Sequence, residues 1–209
     1  MKLLKYLKQK KNERGFILPL TLLVCSIILT VATGISVILI KELYFSKVSR
    51  DSQLAYYSAD TAMMCAVMID GTYIDPSTGL GIFPYGAATD PQSEMSAVLD
   101  KVNLQRQERN LSNIFLSDIK CATSAIFDQT ISGFSSVAFS RTNSAGQVEM
   151  GKTSTFNMRM DLGDGTVRCA TVLISKTDKY RQIIARGFAG CDGQARNIER
   201  AIINTTEVK

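Results

Sequence analysis

The chain has 209 residues, 45% of them apolar, with a formal net charge of +5; that length suits one modest globular domain plus an anchor and argues against a multi-domain enzyme. No histidine occurs anywhere, which excludes Ser-His-Asp and Cys-His catalysis and every zinc site that needs imidazole. The whole charge excess lies in residues 1–15, where six basic residues face Glu13 alone, leaving 18 residues of each sign in the remainder. A neutral remainder has no general electrostatic reason to coat nucleic acid, so no general nucleic-acid binding is expected.

In chain order, the first element is this basic leader, with Lys2, Lys5, Lys8, Lys10, Lys11 and Arg14. The second is an uncharged run from Phe16 to Ile40, which as a helix would extend about 37 Å against a hydrocarbon core of about 30 Å. Its basic flank in front and mixed flank behind (Lys41, Glu42) predict a single-pass membrane protein with residues 1–15 cytoplasmic and the bulk of the chain outside.

The helix signal continues past the apolar run. Residues 41–69 lack Gly and Pro, and Leu43, Val48, Ala55, Ala59, Ala62, Ala66 and Ile69 recur at mostly three-, four- or five-residue steps, which predicts one long helix over 16–69 with a narrow small-residue stripe on its outer half. Gly71 and the cluster Pro76, Gly79, Gly81, Pro84, Gly86 and Pro91 are expected to break it. Residues 70–130 then read as a connecting region, with a further helix over Gln92 to Lys120 carrying Met95, Leu99, Val102, Leu111 and Phe115 as its apolar positions.

Over 131–209 the pattern turns to strands: Phe134 to Ser140, Thr153 to Leu162, Thr166 to Lys176, Tyr180 to Phe188 and Ala195 to Asn204. Turn residues Asn143 to Gly146, Asp164 with Gly165, and Asp178 with Lys179 separate them, and an antiparallel meander is the economical topology. Asp164-Gly165 within DLGDG reads as a hairpin turn, because the oxygen-ligand spacing of a calcium loop is missing. No nucleophile stands beside a recognisable base, so no catalytic residue, cofactor or metal is expected and the chain reads as a non-enzyme.

Five cysteines occur. Cys25 lies inside the apolar run, while Cys65, Cys121, Cys169 and Cys191 are far apart with no C-x-x-C pair, which argues against zinc and thioredoxin chemistry and for two disulfides made in an oxidising compartment. Four cysteines allow three connectivities; the pairing expected is Cys65 with Cys121, tying the helix to the connecting region, and Cys169 with Cys191, closing the last hairpin. A turn centred near Asp178 would set Cys169 opposite about residue 187, so Cys191 must reach back across an offset.

The segment Lys10 to Leu23, KKNERGFILPLTLL, resembles the type III signal of type IV prepilins, with a short basic leader, Gly15, then Phe16 opening an apolar helix. The stretch Asp51 to Cys65, DSQLAYYSADTAMMC, looks like the amphipathic part of the first helix in minor pilins and pseudopilins, and Ile184 to Ile202 looks like the closing hairpin of pilin-like proteins. The resemblance covers both ends of the chain and leaves residues 70–130 without support. It implies an α+β pilin-like fold, a long N-terminal membrane helix packed on a C-terminal antiparallel β-sheet. It also implies processing after Gly15, with Phe16 as the new and commonly methylated N-terminus. The implied partners are a prepilin peptidase, other pilin subunits through the N-terminal helix, and the pilus assembly machinery in the membrane, with the mature chain extracellular in a filament. Two other readings of the N-terminus stay open: a signal anchor that is never cut, and a secretory signal peptide cut after Ala32-Thr33-Gly34.

One position departs from the family pattern. Major pilins commonly carry Glu at the fifth mature position, where it neutralises a neighbour's N-terminal amine, and this chain has Leu20. Pro19 beside it costs nothing, since the first helical turn has no internal N–H bond to lose. Leu20 points to a minor or tip subunit, with Thr21, Ser26 or a water as the alternative partner for the amine. The remaining functional alternatives are a pseudopilin of a secretion or DNA-uptake machine, and a membrane-anchored extracellular binding protein that never polymerises.

Overall fold

The computed structural model describes residues 17–85, 90–121, 124–125, 133–142, 146–161, 167–177, 179–191 and 199–207. The chain divides into two compact units, residues 1–49 and 50–209. Helix α1, Ile17–Thr72, begins in the first unit and ends in the second. In the second unit follow α2 (Pro91–Glu108), a 3-10 turn (Leu116–Asp118), a two-residue ribbon of β1 (Lys120–Cys121) and β2 (Ser124–Ala125), and strands β3 (Ser135–Thr142), β4 (Val148–Asp161), β5 (Val167–Lys176), β6 (Tyr180–Phe188) and β7 (Glu199–Glu207). The last five form one antiparallel sheet in sequence order, a meander whose neighbours need only hairpin connections. The protein is therefore α+β, with a long apolar N-terminal helix and, in the second unit, the outer part of that helix packed on a five-stranded antiparallel sheet.

The core follows the two periodicities. From the helix come Ala55, Ala59, Ala62, Ala66 and Ile69, all buried, and from the sheet's inner face Phe156, Met158, Val172, Ile174, Ile183 and Ala185, alternating along each strand as the pleat requires. Small residues on the helix let the two backbones approach closely. At Gly187 on β6 a Cβ would overlap the Ala55 carbonyl oxygen and the Ala59 amide. Gly187→Ala is accordingly expected to push β6 off the helix and destabilise the fold by about 3 kcal/mol. Urea unfolding of the detergent-solubilised chain checks it, and a midpoint unchanged from the parent would show that no such contact exists.

Several sequence expectations need correction. The helix does not stop at Ile69: it runs through Gly71 to Thr72, because glycine in a last turn costs only about 1 kcal/mol. The chain leaves the helix where Ile74 bridges Gly81. Leu43, assigned to the stripe, is 72% exposed. The second helix ends at Glu108, not near Lys120, since Asn110 takes the left-handed conformation at φ 55°. The chain then turns back along α2, with the Asn103 side chain accepting from the Ile114 N–H and donating to its carbonyl, both at 2.9 Å. Leu111 and Phe115 are therefore exposed rather than packed, while Val98 joins Met95 and Leu99 in the core. The start of α2 is fixed locally by Asp90, whose carboxylate accepts from the N–H groups of Gln92 and Ser93, and by Pro91 in the first turn. Strand β3 extends to Thr142 and β4 starts at Val148 rather than Thr153. The proposed turn residues Asn143 to Ala145, Asp164, Gly165 and Asp178, and the first residues of the strand placed at Ala195, lie outside the described residues.

Both disulfides form. Cys65 on α1 joins Cys121 on β1 with Cα atoms 5.9 Å apart, and Cys169 on β5 joins Cys191 with Cα atoms 5.0 Å apart. Cys169 faces Phe188 in the ladder, so the chain folds back beyond β6 to bring Cys191 over. Each link removes about 2 to 4 kcal/mol of unfolded-state freedom.

Polar anchors hold the segments 70–85 and 90–108 against the sheet. Two lysines stand on the sheet's buried face, Lys152 and Lys176, and each meets a carboxylate. Lys152 Nζ lies 2.8 Å from Glu94 Oε2, whose other oxygen accepts the Tyr85 N–H. Lys176 Nζ lies 2.8 Å from Oδ1 of Asp70, in the last turn of α1, and Arg181 Nη1 lies 2.9 Å from its Oδ2. Away from the sheet, Asp75 accepts from Ser77 N–H and Oγ and pairs with Lys101 at 2.7 Å. Burial pushes the Asp75 carboxyl up, but the Lys101 and Ser77 hydrogen bonds outweigh it and hold the group well below the usual carboxylate range.

Candidate membrane-spanning and assembly surface

Among its described residues, the first unit presents the inner half of α1. Leu, Ile and Val dominate it, and Pro19 sits in the first turn, where no helical hydrogen bond is lost. Every residue from Ile17 to Ile40 is exposed, so this is not the core helix of a soluble domain. The helix is long and apolar enough to cross a membrane, its uncharged part covering about 36 Å at 1.5 Å per residue. The hydroxyls along it are turned inward on the backbone: Thr21 donates to the Leu18 carbonyl at 2.9 Å, Ser26 to Leu23 at 2.8 Å and Thr30 to Ile27 at 2.8 Å. Bonding back to the helix satisfies the donors and lowers the cost of placing them in an apolar medium. Their oxygens keep lone pairs that can accept a further hydrogen bond.

Pro19 and Leu20 are adjacent in the first turn, and Leu20 is 51% exposed. Gly15 and Phe16 lie outside the described residues. Cys25 is an exposed free thiol on the apolar half.

In the second unit, α1 has two faces. One carries the alanine stripe against the sheet. On the other, Tyr57, Met64 and Met68 are exposed, and steps of seven and four residues place them in line on one side of the helix. Sequence reasoning missed this second stripe because it sought only the residues that pack on the domain. The signal was present in the spacing of large apolar residues opposite the alanines.

These features define a class: an α+β chain with, among the described residues, one membrane-length helix near the N-terminus, and a disulfide-linked antiparallel sheet. No family model, curated protein or solved structure matches the chain.

Proposed function

We propose that this chain is a subunit of a type IV pilus or related filament, a minor or tip pilin that a prepilin peptidase cuts after Gly15. The observation that carries the reading is the pair of apolar surfaces left open on α1: the wholly exposed inner half, and the Tyr57, Met64 and Met68 stripe behind the sheet-packed face. A helix used only as an anchor needs the first and has no use for the second. In a filament the inner halves bundle in the core, the open stripe faces neighbouring subunits, and the sheets form the outer surface. The leader holds the N-terminus in the cytoplasm until cleavage, and the bilayer stores the mature subunit. No catalytic role is proposed.

N-terminal sequencing of the membrane-extracted and filament-borne protein tests the assignment. A mature chain beginning at Phe16, methylated or not, supports it. An intact Met1 on the membrane-extracted protein, with none of the chain in filaments, overturns it and favours the non-polymerising anchored binding protein. A pseudopilin of a secretion or DNA-uptake machine would share the same processing and helix chemistry.

Leu20 narrows the role. In a repeating fibre every subunit must satisfy its neighbour's N-terminal ammonium, and a charge left without a partner in an apolar core costs several kcal/mol per contact. A subunit used once, at the tip, escapes that repetition. In sheared filaments this chain is expected at far lower abundance than the main pilin, and Leu20→Glu is expected to raise its incorporation little. If it proves the most abundant subunit, the tip role is wrong and Thr21 or Ser26 becomes the partner to test.

A further inference from the structure

We propose that Lys176 and Asp70 condense without an enzyme into a side-chain amide that links the end of α1 covalently to β5. This goes beyond the filament reading and does not depend on it. Lys176 Nζ lies 2.8 Å from Asp70 Oδ1, and the two side chains are 1% and 3% exposed. Their positions are fixed from both sides. The Gly81 carbonyl accepts a second hydrogen bond from Lys176 at 2.9 Å, and a Cβ at residue 81 would overlap the Asp70 carboxylate, so glycine makes the room in which the pair meets. Phe83, whose N–H reaches Asp70 Oδ1 at 3.4 Å, stacks on Phe156 in the buried core, ring centroids 6.0 Å apart.

The chemistry balances within the pair. Nζ passes one proton to Oδ1 and its freed lone pair attacks Cγ. The negative charge of the tetrahedral intermediate falls on Oδ2, which faces the Arg181 guanidinium at 2.9 Å, placed as an oxyanion-stabilising donor. The Cγ–Oδ1 bond then breaks, and Oδ1 leaves as water with the first proton and a second one from the nitrogen. An ammonium and a carboxylate enter; a neutral amide and one water result. No oxidant or co-reactant is needed. Burial pushes the Lys176 ammonium down toward the amine, opposed by the Asp70 charge and aided by Arg181. Holding both groups in one buried site removes the entropy cost of bringing them together, and exclusion of water disfavours the reverse hydrolysis.

Peptide mapping of the reduced, denatured, trypsin-digested full chain decides it. The expected result is a branched species that joins the Asp70 peptide to the peptide carrying an uncleaved Lys176, lighter than their sum by the mass of one water. Lys176→Arg, which keeps a cation beside Asp70 but removes the nucleophilic amine, is expected to give only linear peptides, and Arg181→Gln to leave an unlinked fraction. Linear peptides ending at Lys176 as the sole wild-type products would overturn the proposal and leave the contact a buried ion pair. The wild-type map is sufficient alone, so a variant that fails to fold does not weaken the test.

Discussion

Measured against the uncondensed Lys176–Asp70 ion pair, Asp70→Ala is expected to cost about 3 to 5 kcal/mol of stability, a large share of what a domain this size possesses. The reason is the cation left behind. Lys176 sits on the buried face of β5 at 1% exposure, and once Asp70 is gone it keeps the Gly81 carbonyl and, 5.9 Å away, the Tyr85 ring, neither of which carries a charge. Arg181 is less affected, since at 19% exposure it reaches solvent. The same substitution removes the carboxylate that accepts the Phe83 N–H at 3.4 Å and so loosens the turn after α1. Replacing both charges, as in Asp70→Leu with Lys176→Met, removes the stranded ammonium and is expected to recover the part of the loss that it causes. Urea unfolding of the detergent-solubilised chain, followed by sheet circular dichroism, measures both. A single variant within about 1 kcal/mol of the parent would show that water reaches Lys176 and that the pair is not closed.

The network around Asp70 shows where sequence reading reaches its limit. Apolar periodicity is local, so the long helix and β5 and β6 were legible from hydrophobic spacing and turn residues alone. The outcome for Tyr180–Phe188 matches at both ends. Asp70 and Lys176 are 106 positions apart. Nothing in either neighbourhood marks them as partners, and a lysine on an otherwise apolar strand face reads as the strand's exposed end. Gly187 was hidden for the same reason, because the residue it accommodates, Ala55, lies on the helix. The early start of β4 was masked by Gly151, a poor strand former whose place is explained by the Lys176 carbonyl, the Thr177 methyl and the Phe139 ring packed beside it. In α2 the apolar spacing ran on past the true end, since Leu111 and Phe115 suit a helix in composition but sit after the left-handed Asn110. The candidate surface was half legible. The membrane-length run was plain from composition, whereas the Tyr57, Met64 and Met68 stripe acquired meaning only when the sheet was seen to cover the opposite face.

Gly15→Leu is expected to abolish maturation, leaving the full-length precursor as the only form in the membrane and removing the chain from filaments. A peptidase that cuts at the cytoplasmic edge of the apolar helix must bring its catalytic groups against the backbone of the residue before Phe16. Glycine presents no side chain there, and a branched Leu would stand in the way. The consequence is topological as well as chemical. On the filament reading, residues 1–15, with six basic residues against one acidic, form a leader whose charges resist leaving the cytoplasmic surface while it stays attached. An uncut subunit therefore stays in the bilayer even though its apolar surfaces are complete. Two companion variants separate the steric cause from the electrostatic one. Gly15→Ala, with a single methyl group, is expected to mature slowly, whereas Lys10→Gln with Lys11→Gln in the Gly15→Leu background is expected to restore nothing, because the block lies at the scissile backbone. Intact mass or gel mobility of the membrane fraction reads all three, and a Gly15→Leu chain processed to the parental size would remove the prepilin assignment.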